Sequence, residues 1–422
     1  MPTEKKKKKV LAWSDSALAG TGFGVVSKHI LGALHATGKY DIHHLAINFH
    51  GDFADKSVIP WQQQPARLLD PKDPHGLKMF QRTLVKGDYD IVWVCNDLYV
   101  THQVAEIVVK VRQRATTQGK KPPIFIYYYP VDCHVPGDGS DFLKVVDIPV
   151  CYTTHGAKET LATISEVKNK LKQIPHGVDT SIFKPVPQEQ INVVKKNVLG
   201  VNPDTTVVIN FNRNSARKQM QYSMLAFHEF RKQVPNSIMY MHTSVQDQGG
   251  DLMKAVRDLG MSTKKDIIFP TRYSPSNPAP AHILNQLYNM GDIFLTTHLG
   301  EGWGLTVTEA MSAGIPVVAP DNTSMPQQLG EDGERGYIYP CEDMIWVDSS
   351  GYRPKGLLPD IVEMMVMAYK DGPKQKSPIV KKARQWAIKH DWKKVVKAWV
   401  KLFEKADDAL VDTSPTITGE EI

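Results

Sequence analysis

The chain has 422 residues, of which 41% are hydrophobic and 23% charged, an ordinary composition for globular domains. Such a length and composition exclude a fibrous or wholly disordered protein and allow two or three domains with sizeable cores. The net charge is +6, and five of these charges come from the lysines at positions 5–9, so the rest of the chain is close to neutral.

Residues 1–9 form a basic segment that we interpret as a flexible, solvated tail. Contact with nucleic acid is the alternative that its lysine run leaves open. No apolar run of signal length follows the tail, and no run of 18 apolar residues occurs, so we expect a cytoplasmic protein without a transmembrane segment. The four cysteines, Cys95, Cys133, Cys151 and Cys341, show no paired spacing, which fits a reducing compartment.

Residues 10–184 alternate apolar runs of strand length with helical patterns. The strand candidates are VLAW, DIHHLAINF, YDIVWVCN, PPIFIYYY and IPVCYTT. This alternation predicts a parallel sheet with helical crossovers. The first strand leads through Gly20, Gly22 and Gly24 into a helix. Such a loop suits close approach of the backbone to a phosphate, although a tight strand–helix turn explains it equally well.

Polar side chains stand where several of these predicted strands end. They include Asp52, Asn96, Asp97, Asp132 and His134. Each one alone is explained as a cap or turn residue. Because open parallel sheets bind ligands in the crevice at the carboxyl ends of their strands, we expect these side chains to line a ligand site.

A linker and a second strand–helix alternation follow. The segment LKQIPHGVDTSIFKPVP is rich in proline and glycine, and we place a domain boundary near Lys184 within it. Residues 185–384 then predict a second Rossmann-like domain. Its first loop, FNRNSARKQM, carries Arg213 and Lys218 just before a helix, where cations are unfavourable unless an anion binds there.

The most informative stretch is THLGEGWGLTVTEAMSAGIPVVAP, residues 297–320. It predicts a strand, a glycine loop, a helix beginning near Leu305 and ending at Gly314, and a second strand. The helix start offers unpaired N–H groups to an anion, and Glu301 and Glu309 face the same side. Carboxylates accept hydrogen bonds from the hydroxyls of a sugar or ribose, so this stretch predicts a nucleotide-sugar site.

The run GEGWGLTVTEAMSAGIPVVA, with two glutamates separated by seven residues, resembles the signature of retaining glycosyltransferases of the GT-B fold. This group contains the glycogen and sucrose synthases and belongs to the family 4 type. The linker and the pair Arg213 and Lys218 are similar too, and the resemblance covers residues 10–404. It implies two Rossmann-like domains facing each other across a cleft. A terminal helix, within residues 385–407, would return to the first domain, and we expect residues 408–422 to be disordered.

The resemblance also implies roles for individual residues. Glu301 would approach hydroxyls of the donor sugar, Glu309 would bind the ribose, and Arg213 and Lys218 would neutralise the diphosphate, so that neither a metal nor a further cofactor is required. The remaining candidates for donor binding are Gly22, Gly24, Gly302, Trp303, Gly304, Leu305 and Thr306. Two fixed cations can stabilise the charge of a departing nucleoside diphosphate as a metal does elsewhere.

The acceptor would bind mainly in the first domain, with Asp52, Asp97 and Asp132 as candidates. Many relatives have a histidine near the transferred sugar, but Tyr129-Pro130 stand there in this chain. Asp132 and His134 are therefore the nearest candidates for a catalytic role. The aspartate-rich strand ends and the segment FHGDFADKSVIP resemble a subset of viral and archaeal enzymes, so a hydroxymethylated base in DNA is one acceptor candidate and a glycan is another.

We therefore predict a metal-independent, retaining hexosyltransferase that uses a nucleoside-diphosphate sugar, with UDP as the expected nucleotide. One alternative on the same architecture is a nucleotide-sugar 2-epimerase, which needs no acceptor. Another is a module that binds nucleotide sugar or nucleic acid without turnover. The sequence leaves the sugar, the acceptor class and the oligomeric state open.

Overall fold

The structure is a computed structural model that describes residues 6–51, 56–135, 137, 140–273, 278–347 and 351–406. It divides into two compact units. The first contains the chain up to His176 and the segment from Lys393 onward, and the second contains almost all of the chain from Gly177 to Trp392. The chain thus enters the second unit within the predicted linker. The boundary near Lys184 stays a prediction.

The first unit is built on a seven-stranded parallel sheet. Its strands are β1 (Lys8–Asp15), β2 (Tyr40–Ile47), β3 (Gln62–Pro65), β4 (Ile91–Cys95), β5 (Ile124–Tyr129), β6 (Ile148–Cys151) and β7 (Lys172–Gln173). They lie in the order β3-β2-β1-β4-β5-β6-β7, and all their pairings are parallel. Strands β4, β5 and β6 are buried along their whole length, as expected for a sheet covered on both faces.

In the described part of this unit, six α-helices connect the strands. They are α1 (Gly22–Ala36), α2 (Leu77–Lys86), α3 (Leu98–Thr101), α4 (Ala105–Thr117), α5 (Asp141–Val145) and α6 (Thr154–Thr163). The core contains stacked rings of Trp13 and Phe80, with centroids 4.3 Å apart. This unit confirms the predicted α/β domain with helical crossovers.

The second unit has a six-stranded parallel sheet and two small antiparallel hairpins. The strands in chain order are β8 (Thr206–Asn210), β9 (Ser237–Met241), β10 (Gln246–Asp247), β11 (Gly250–Asp251), β12 (Ile267–Ile268), β13 (Ile293–Leu295), β14 (Val317–Pro320), β15 (Tyr337–Tyr339), β16 (Asp343–Val347) and β17 (Gly351–Lys355). The sheet order is β12-β9-β8-β13-β14-β15, whereas β10 pairs with β11 and β16 with β17. The sequence did not predict either hairpin.

Eight further helices belong to the second unit. They are α7 (Gln188–Val194), α8 (Met220–Gln233), α9 (Leu252–Asp258), α10 (Ala281–Met290), α11 (Leu305–Ala313), α12 (Met325–Leu329), α13 (Leu358–Lys370) and α14 (Pro378–Lys389). Strands β8 and β13 are neighbours in the centre of the sheet, and their carboxyl ends lead into the two loops that carry the main candidates for function. The second Rossmann-like domain is thus confirmed.

The last helix, α15 (Trp392–Glu404), packs on the first unit. The ring of Trp399 lies 4.6 Å from that of Tyr128 and 6.2 Å from that of Trp93. Phe403 contacts Tyr40 edge to face at 5.7 Å. Burial of these aromatic side chains explains the helical spacing of apolar residues in the sequence. The prediction that a terminal helix returns to the first domain is confirmed.

Candidate functional site

The loop between β13 and α11 owes its shape to glycines. Gly300 has φ of 143°, and Gly304, the residue before α11, has φ of 92°. Gly314 ends the helix with φ of 78°. Residues other than glycine rarely adopt such φ values. The three glycines therefore fix the path of the loop and the length of the helix. The helix runs from Leu305 to Ala313, as the sequence predicted.

Glu301 lies at the centre of this loop and is only 6% exposed. One of its carboxylate oxygens pairs with Lys218, and the other lies 3.1 Å from the guanidinium of Arg217. Its backbone N–H donates to Thr323 Oγ1 at 2.9 Å. A buried carboxylate needs compensation of its charge, and here two cations supply it.

The two cations come from a single 3-10 turn after β8, residues Ala216–Lys218. Gln219 follows the turn with φ of 51°, which is uncommon for a residue other than glycine, and leads into α8. Lys218 Nζ also donates to Asn212 Oδ1 at 3.1 Å. The guanidinium of Arg217 donates to Gly300 O, and Arg217 O accepts from the backbone N–H of Leu299 at 2.9 Å. The loops after β8 and β13 are thus joined through charged and main-chain contacts.

Arg213 occupies a different environment from Lys218. Its guanidinium forms two hydrogen bonds with Asp247, of 2.7 and 3.1 Å, and its side chain is 55% exposed. The paired guanidinium lowers the pKa of Asp247 below its ordinary value. The role of Arg213 in binding a diphosphate stays a prediction. The sequence analysis did not single out Arg217, because the pattern RNSARK alone does not tell which cation points toward Glu301.

Glu309 lies on α11, just over one turn from the start of the helix at Leu305. Its carboxyl group accepts a hydrogen bond of 2.7 Å from the hydroxyl of Tyr288. Burial raises its pKa to about 7, although part of its surface remains exposed. Tyr288, which the sequence analysis did not single out, stacks on Phe211 with ring centroids 4.1 Å apart. Glu309 therefore titrates near neutral pH in this structure.

The residues around the start of α11 differ in their burial and in their hydrogen bonds. Trp303 is buried, its indole N–H donates to Thr308 Oγ1 at 3.0 Å, and its ring stacks near Trp386. Its indole therefore faces the protein interior. Thr306 Oγ1 lies 3.5 Å from Asn212 Oδ1, the oxygen that also contacts Lys218. Gly302 is buried, whereas Gly304, Leu305 and Thr306 are partly exposed. Donor binding by these residues stays a prediction.

His298 lies in the first part of the same loop and is another residue that the sequence analysis did not single out. It is 2% exposed, and its Nδ1 accepts from the backbone N–H of Gly300 at 3.2 Å. Burial, assisted by the positive charges of Lys218, Arg217 and Arg353, holds the pKa of His298 well below its ordinary value. The imidazole is therefore neutral at pH 7. Its buried Nε2 has no hydrogen-bond partner among the residues that the structure describes.

The glycines at the start of α1 have a structural explanation. Thr21 caps the helix by accepting a hydrogen bond of 3.1 Å from the backbone N–H of Gly24. A Cβ atom on Gly24 would lie 2.4 Å from Ala19 O and 2.7 Å from Ser16 O. Packing within the turn thus requires a glycine at position 24. The donor-binding roles of Gly22 and Gly24 stay predictions.

The described acceptor candidates of the first unit lie on two loops, one after β4 and one after β5. Asp97 precedes α3 as its N-cap, and Asp132 lies in the loop after β5. His134, whose side chain is 83% exposed, hydrogen-bonds Glu159 of α6 at 2.7 Å through Nδ1. Asp52 falls outside the described residues. Their part in binding an acceptor or in catalysis stays a prediction.

Comparisons with known proteins find relatives of part of this chain. The family model described as Glycosyl transferases group 1 matches residues 276–345, which include Glu301 and Glu309. A GDP-mannose-dependent α-(1-6)-phosphatidylinositol monomannoside mannosyltransferase of Mycolicibacterium smegmatis is 29% identical over 188 residues, which are 41% of this chain and 44% of that protein. The chain thus spans less than half the length of the curated relatives it matches first.

Two solved structures show the fold of the whole chain. The sucrose-phosphate synthase of Thermosynechococcus elongatus superposes with a TM-score of 0.70 at 14% identity, covering 96% of this chain and 100% of that one. Anabaena HepE in complex with UDP-glucose gives a TM-score of 0.67 at 16% identity, with coverages of 94% and 100%. The protein has the GT-B fold. Its resemblance to GT-B glycosyltransferases, stated from the sequence, is confirmed by these relatives.

Two other features bear on function, namely membrane-spanning helices and metal sites. None of the helices in the described part of the chain is long and apolar enough to cross a membrane. Within the same residues, no group of three or more His, Cys, Asp and Glu side chains is arranged to hold a metal ion. Metal independence of the reaction and a cytoplasmic location both stay predictions.

Proposed function

We propose that this GT-B protein transfers a sugar from a nucleoside-diphosphate sugar to an acceptor hydroxyl. The observation that carries the proposal is the buried Glu301 between Lys218 and Arg217, beside the start of α11. The site combines cations for a diphosphate, the N-terminus of a nine-residue helix and two carboxyl groups for hydroxyls. Recognition of a nucleotide sugar needs these three kinds of group together.

In this proposal the second unit binds the donor. Lys218 stabilises the negative charge that builds on the diphosphate as the glycosidic bond breaks. Glu301 accepts hydrogen bonds from hydroxyls of the transferred sugar, and Glu309 hydrogen-bonds the ribose. The protein thus orients the donor and stabilises the leaving group, and no side chain needs to form a covalent bond with the sugar.

We further propose retention of configuration and no requirement for a metal. The acceptor hydroxyl would attack from the side of the leaving group, and a phosphate oxygen of the donor would take its proton. The resemblance in sequence supports both statements. We propose UDP as the nucleotide, because the structure of HepE contains UDP-glucose. The mycobacterial relative is named for GDP-mannose, so both nucleotides belong in the test.

The acceptor would bind through the first unit, where Asp52, Asp97 and Asp132 remain the candidates. A hydroxymethylated base in DNA and a glycan are the two acceptor classes that we propose to test. The sequence pattern of the strand ends supports this proposal.

The test uses the full chain with UDP-glucose, UDP-N-acetylglucosamine and GDP-mannose, each with duplex DNA containing hydroxymethylcytosine and with a set of oligosaccharides. Release of UDP or GDP and the mass of the acceptor are measured, with Glu301→Ala as the inactive control. A product heavier by one sugar, formed only with an acceptor, supports the proposal.

Two other outcomes would contradict it. Conversion of the donor without any acceptor would indicate a nucleotide-sugar 2-epimerase. Binding of a donor without turnover under any condition, with Glu301→Ala losing that binding, would indicate a binding module.

A further inference from the structure

The hairpin of β16 and β17 presents an apolar face to solvent. Trp346 lies directly opposite Tyr352 in its register, and Met344 lies opposite Pro354. Side chains two residues apart on a strand, and those opposite each other on paired strands, share one face. The side chains of Trp346, Tyr352 and Met344 are 57%, 63% and 55% exposed. We call these four residues the outer face of the hairpin.

The opposite, inner face of the hairpin packs on the protein. Val347 and Arg353 are buried there, and Ile345 is half-buried. A hairpin with one face in water usually buries its apolar side chains and exposes its polar ones. Here an arginine is buried, whereas two aromatic rings and a methionine are exposed together. Contiguous exposed apolar groups of this kind are typical of a binding surface.

The base of the hairpin is fixed beside the candidate site. Lys355 Nζ lies 4.1 Å from the ring centre of Tyr222 in the first turn of α8. The hydroxyl of Tyr222 donates to Gly356 O at 3.1 Å. The charge of Arg353 helps to lower the pKa of His298, so the inner face lies near the loop after β13. The hairpin is therefore held against both chain segments that form the site.

We propose that the outer face of the hairpin binds a neutral glycan and holds an acceptor chain at a point away from its reacting hydroxyl. The choice of a glycan rests on the proposed function, which requires an acceptor with hydroxyl groups. The proposal adds a binding surface in the second unit to the acceptor candidates of the first.

The chemistry of the two exposed rings fits a sugar. One side of a pyranose ring presents C–H groups, which carry a slight positive charge and pack on the negative face of an aromatic ring. The rings of Trp346 and Tyr352 have centroids 5.1 Å apart and are inclined at 75°. A sugar stacked on one ring therefore meets the other ring from the side. Aromatic side chains have only two rotatable bonds, so little conformational freedom is lost on binding.

The charges of the hairpin argue against an anionic partner. The cations in its described part, Arg353 and Lys355, lie on the inner face, whereas Glu342 and Asp343 are exposed at one end of the hairpin. Nucleic acids and anionic membranes bind surfaces that present lysine or arginine. Exposed carboxylates repel such partners but accept hydrogen bonds from sugar hydroxyls. The distribution of charge thus favours a neutral ligand that is rich in hydroxyl groups.

The size of the outer face argues against a second protein. A stable protein–protein interface buries about 800 Å² on each partner and involves about 20–30 residues a side. The outer face contains four residues, of which Pro354 is only partly exposed. A sugar chain needs one or two aromatic rings and a few hydrogen bonds. The outer face therefore matches a sugar chain better than a second copy of this protein.

The experiment measures the migration of the full chain in native gels that contain glycogen, mannan or dextran, three neutral polysaccharides. We expect at least one of them to retard the wild type. Trp346→Ala should weaken the apparent affinity about 5- to 30-fold and Tyr352→Ala about 3- to 10-fold, since each removes a stacking ring. Trp346→Phe keeps a ring and should recover part of the loss. Tyr369→Ala is the matched control, because Tyr369 is exposed on α13 of the same unit, and it should bind within about twofold of the wild type.

A transfer assay gives a second readout. With a polysaccharide acceptor, Trp346→Ala should raise the KM for the acceptor about 5- to 30-fold, while the KM for the donor stays unchanged. A merely structural role of the hairpin would change the KM for the donor as well, since the inner face lies beside the loop after β13. Thermal unfolding of each variant identifies any loss of binding that comes from loss of the fold.

The outcomes separate this proposal from the proposed function. A wild type that none of the three polysaccharides retards, or equal retardation of the wild type and Trp346→Ala, overturns glycan binding by the outer face. If Trp346→Ala instead loses binding to duplex DNA, to phosphatidylcholine vesicles or to a second copy of the chain, the outer face serves that partner and the proposal is wrong. Retardation that depends on Trp346, in a protein that transfers sugar from no donor, contradicts the proposed function and leaves the glycan-binding surface in place.

Discussion

The strand ends of the two units differ in how they use charge. In the second unit, the loops after β8 and β13 are joined by ion pairs of Lys218 and Arg217 with a carboxylate that is almost fully buried. In the first unit, His134 is mostly exposed and pairs with Glu159, while Asp97 and Asp132 follow different strands. The loops of the second unit thus meet at a buried carboxylate paired with two cations, whereas the ion pair of His134 in the first unit lies at the surface.

This difference has a physical cause. A site for a diphosphate needs several cations at close range, and these must be compensated by protein groups when no ligand is bound. Lys218 and Arg217 are compensated in this way by Glu301. A site for a neutral hydroxyl needs only a few hydrogen bonds, which water satisfies in the absence of the acceptor. The proposed donor site is therefore marked by ion pairs.

The largest effect is expected from a substitution in the charged loops of the second unit. Lys218→Met should lower the rate of sugar transfer about 10²- to 10³-fold, because it removes a group that stabilises the charge of the leaving diphosphate. Steady-state rates of nucleoside diphosphate release provide the measurement. Lys232→Met is the matched control, since Lys232 lies at the end of α8, the helix that follows the turn of Lys218, and pairs with Glu229 on the surface. Equal activity of the two variants would contradict the assignment of the donor site.

A second prediction concerns Glu309, whose surroundings contrast with those of Glu301. Its pKa in the folded protein is about 7, above the ordinary value of 4.5, so the folded protein holds a proton that the unfolded chain releases. The stabilisation that this bound proton provides is fully present below about pH 4.5. It is lost as the pH rises through about 7, and the free energy of unfolding falls by at most about 3 kcal/mol. The free energy of unfolding of the wild type, relative to Glu309→Gln, should therefore fall between pH 5 and pH 8. A difference independent of pH would show that Glu309 is ionised throughout.

A third prediction tests the loop that opens the first unit. Gly24→Ala should lower the free energy of unfolding by about 1–3 kcal/mol, because the new methyl group would press on the carbonyl oxygens of Ala19 and Ser16. Gly32→Ala in the same helix is the control. Its Cβ would meet its nearest neighbour at 3.9 Å, and it should stabilise the helix by about 0.5–1 kcal/mol. Chemical unfolding of both variants measures the difference. An unchanged stability of Gly24→Ala, with weaker donor binding, would instead favour a role in phosphate binding alone.

The smallest effect is expected at His134. Because its side chain is exposed, its hydrogen bond to Glu159 should contribute no more than about 0.5 kcal/mol, and His134→Ala should unfold almost as the wild type does. If His134 serves the acceptor side, the variant should raise the KM for the acceptor and leave the KM for the donor unchanged. Equal changes in the two KM values would argue against a role of His134 on the acceptor side.

Much of the fold followed from the sequence, because alternating strands and helices are a strong local signal. The bounds of α11 were predicted from Gly304 and Gly314, which have the backbone conformations that favour glycine. The hairpin of β16 and β17 was missed, since each of its strands buries only one of its five residues and so lacks a clear apolar run. Two Rossmann-like domains and a terminal helix on the first of them were predicted correctly.

The site was predicted less completely than the fold. Glu301 and Lys218 are in contact, and Glu309 lies on the predicted helix. Arg217 and Tyr288 were missed, because the direction of a side chain on a loop depends on the distant residues that it meets. The sequence around Arg217 also contains Arg213 and Lys218. Spacing alone does not tell which of these three cations pairs with Glu301 and which pairs with Asp247.

The four cysteines differ in their surroundings, and this has a practical consequence. Cys95 and Cys151 are buried, and burial raises the pKa of Cys151 and Cys341 to about 12 and that of Cys95 well above its ordinary value. Thiolates, which react with alkylating reagents, are therefore disfavoured at these three positions. Cys133 is partly exposed and lies between Asp132 and His134. A maleimide dye should therefore label the wild-type chain selectively at Cys133, without any engineered mutation.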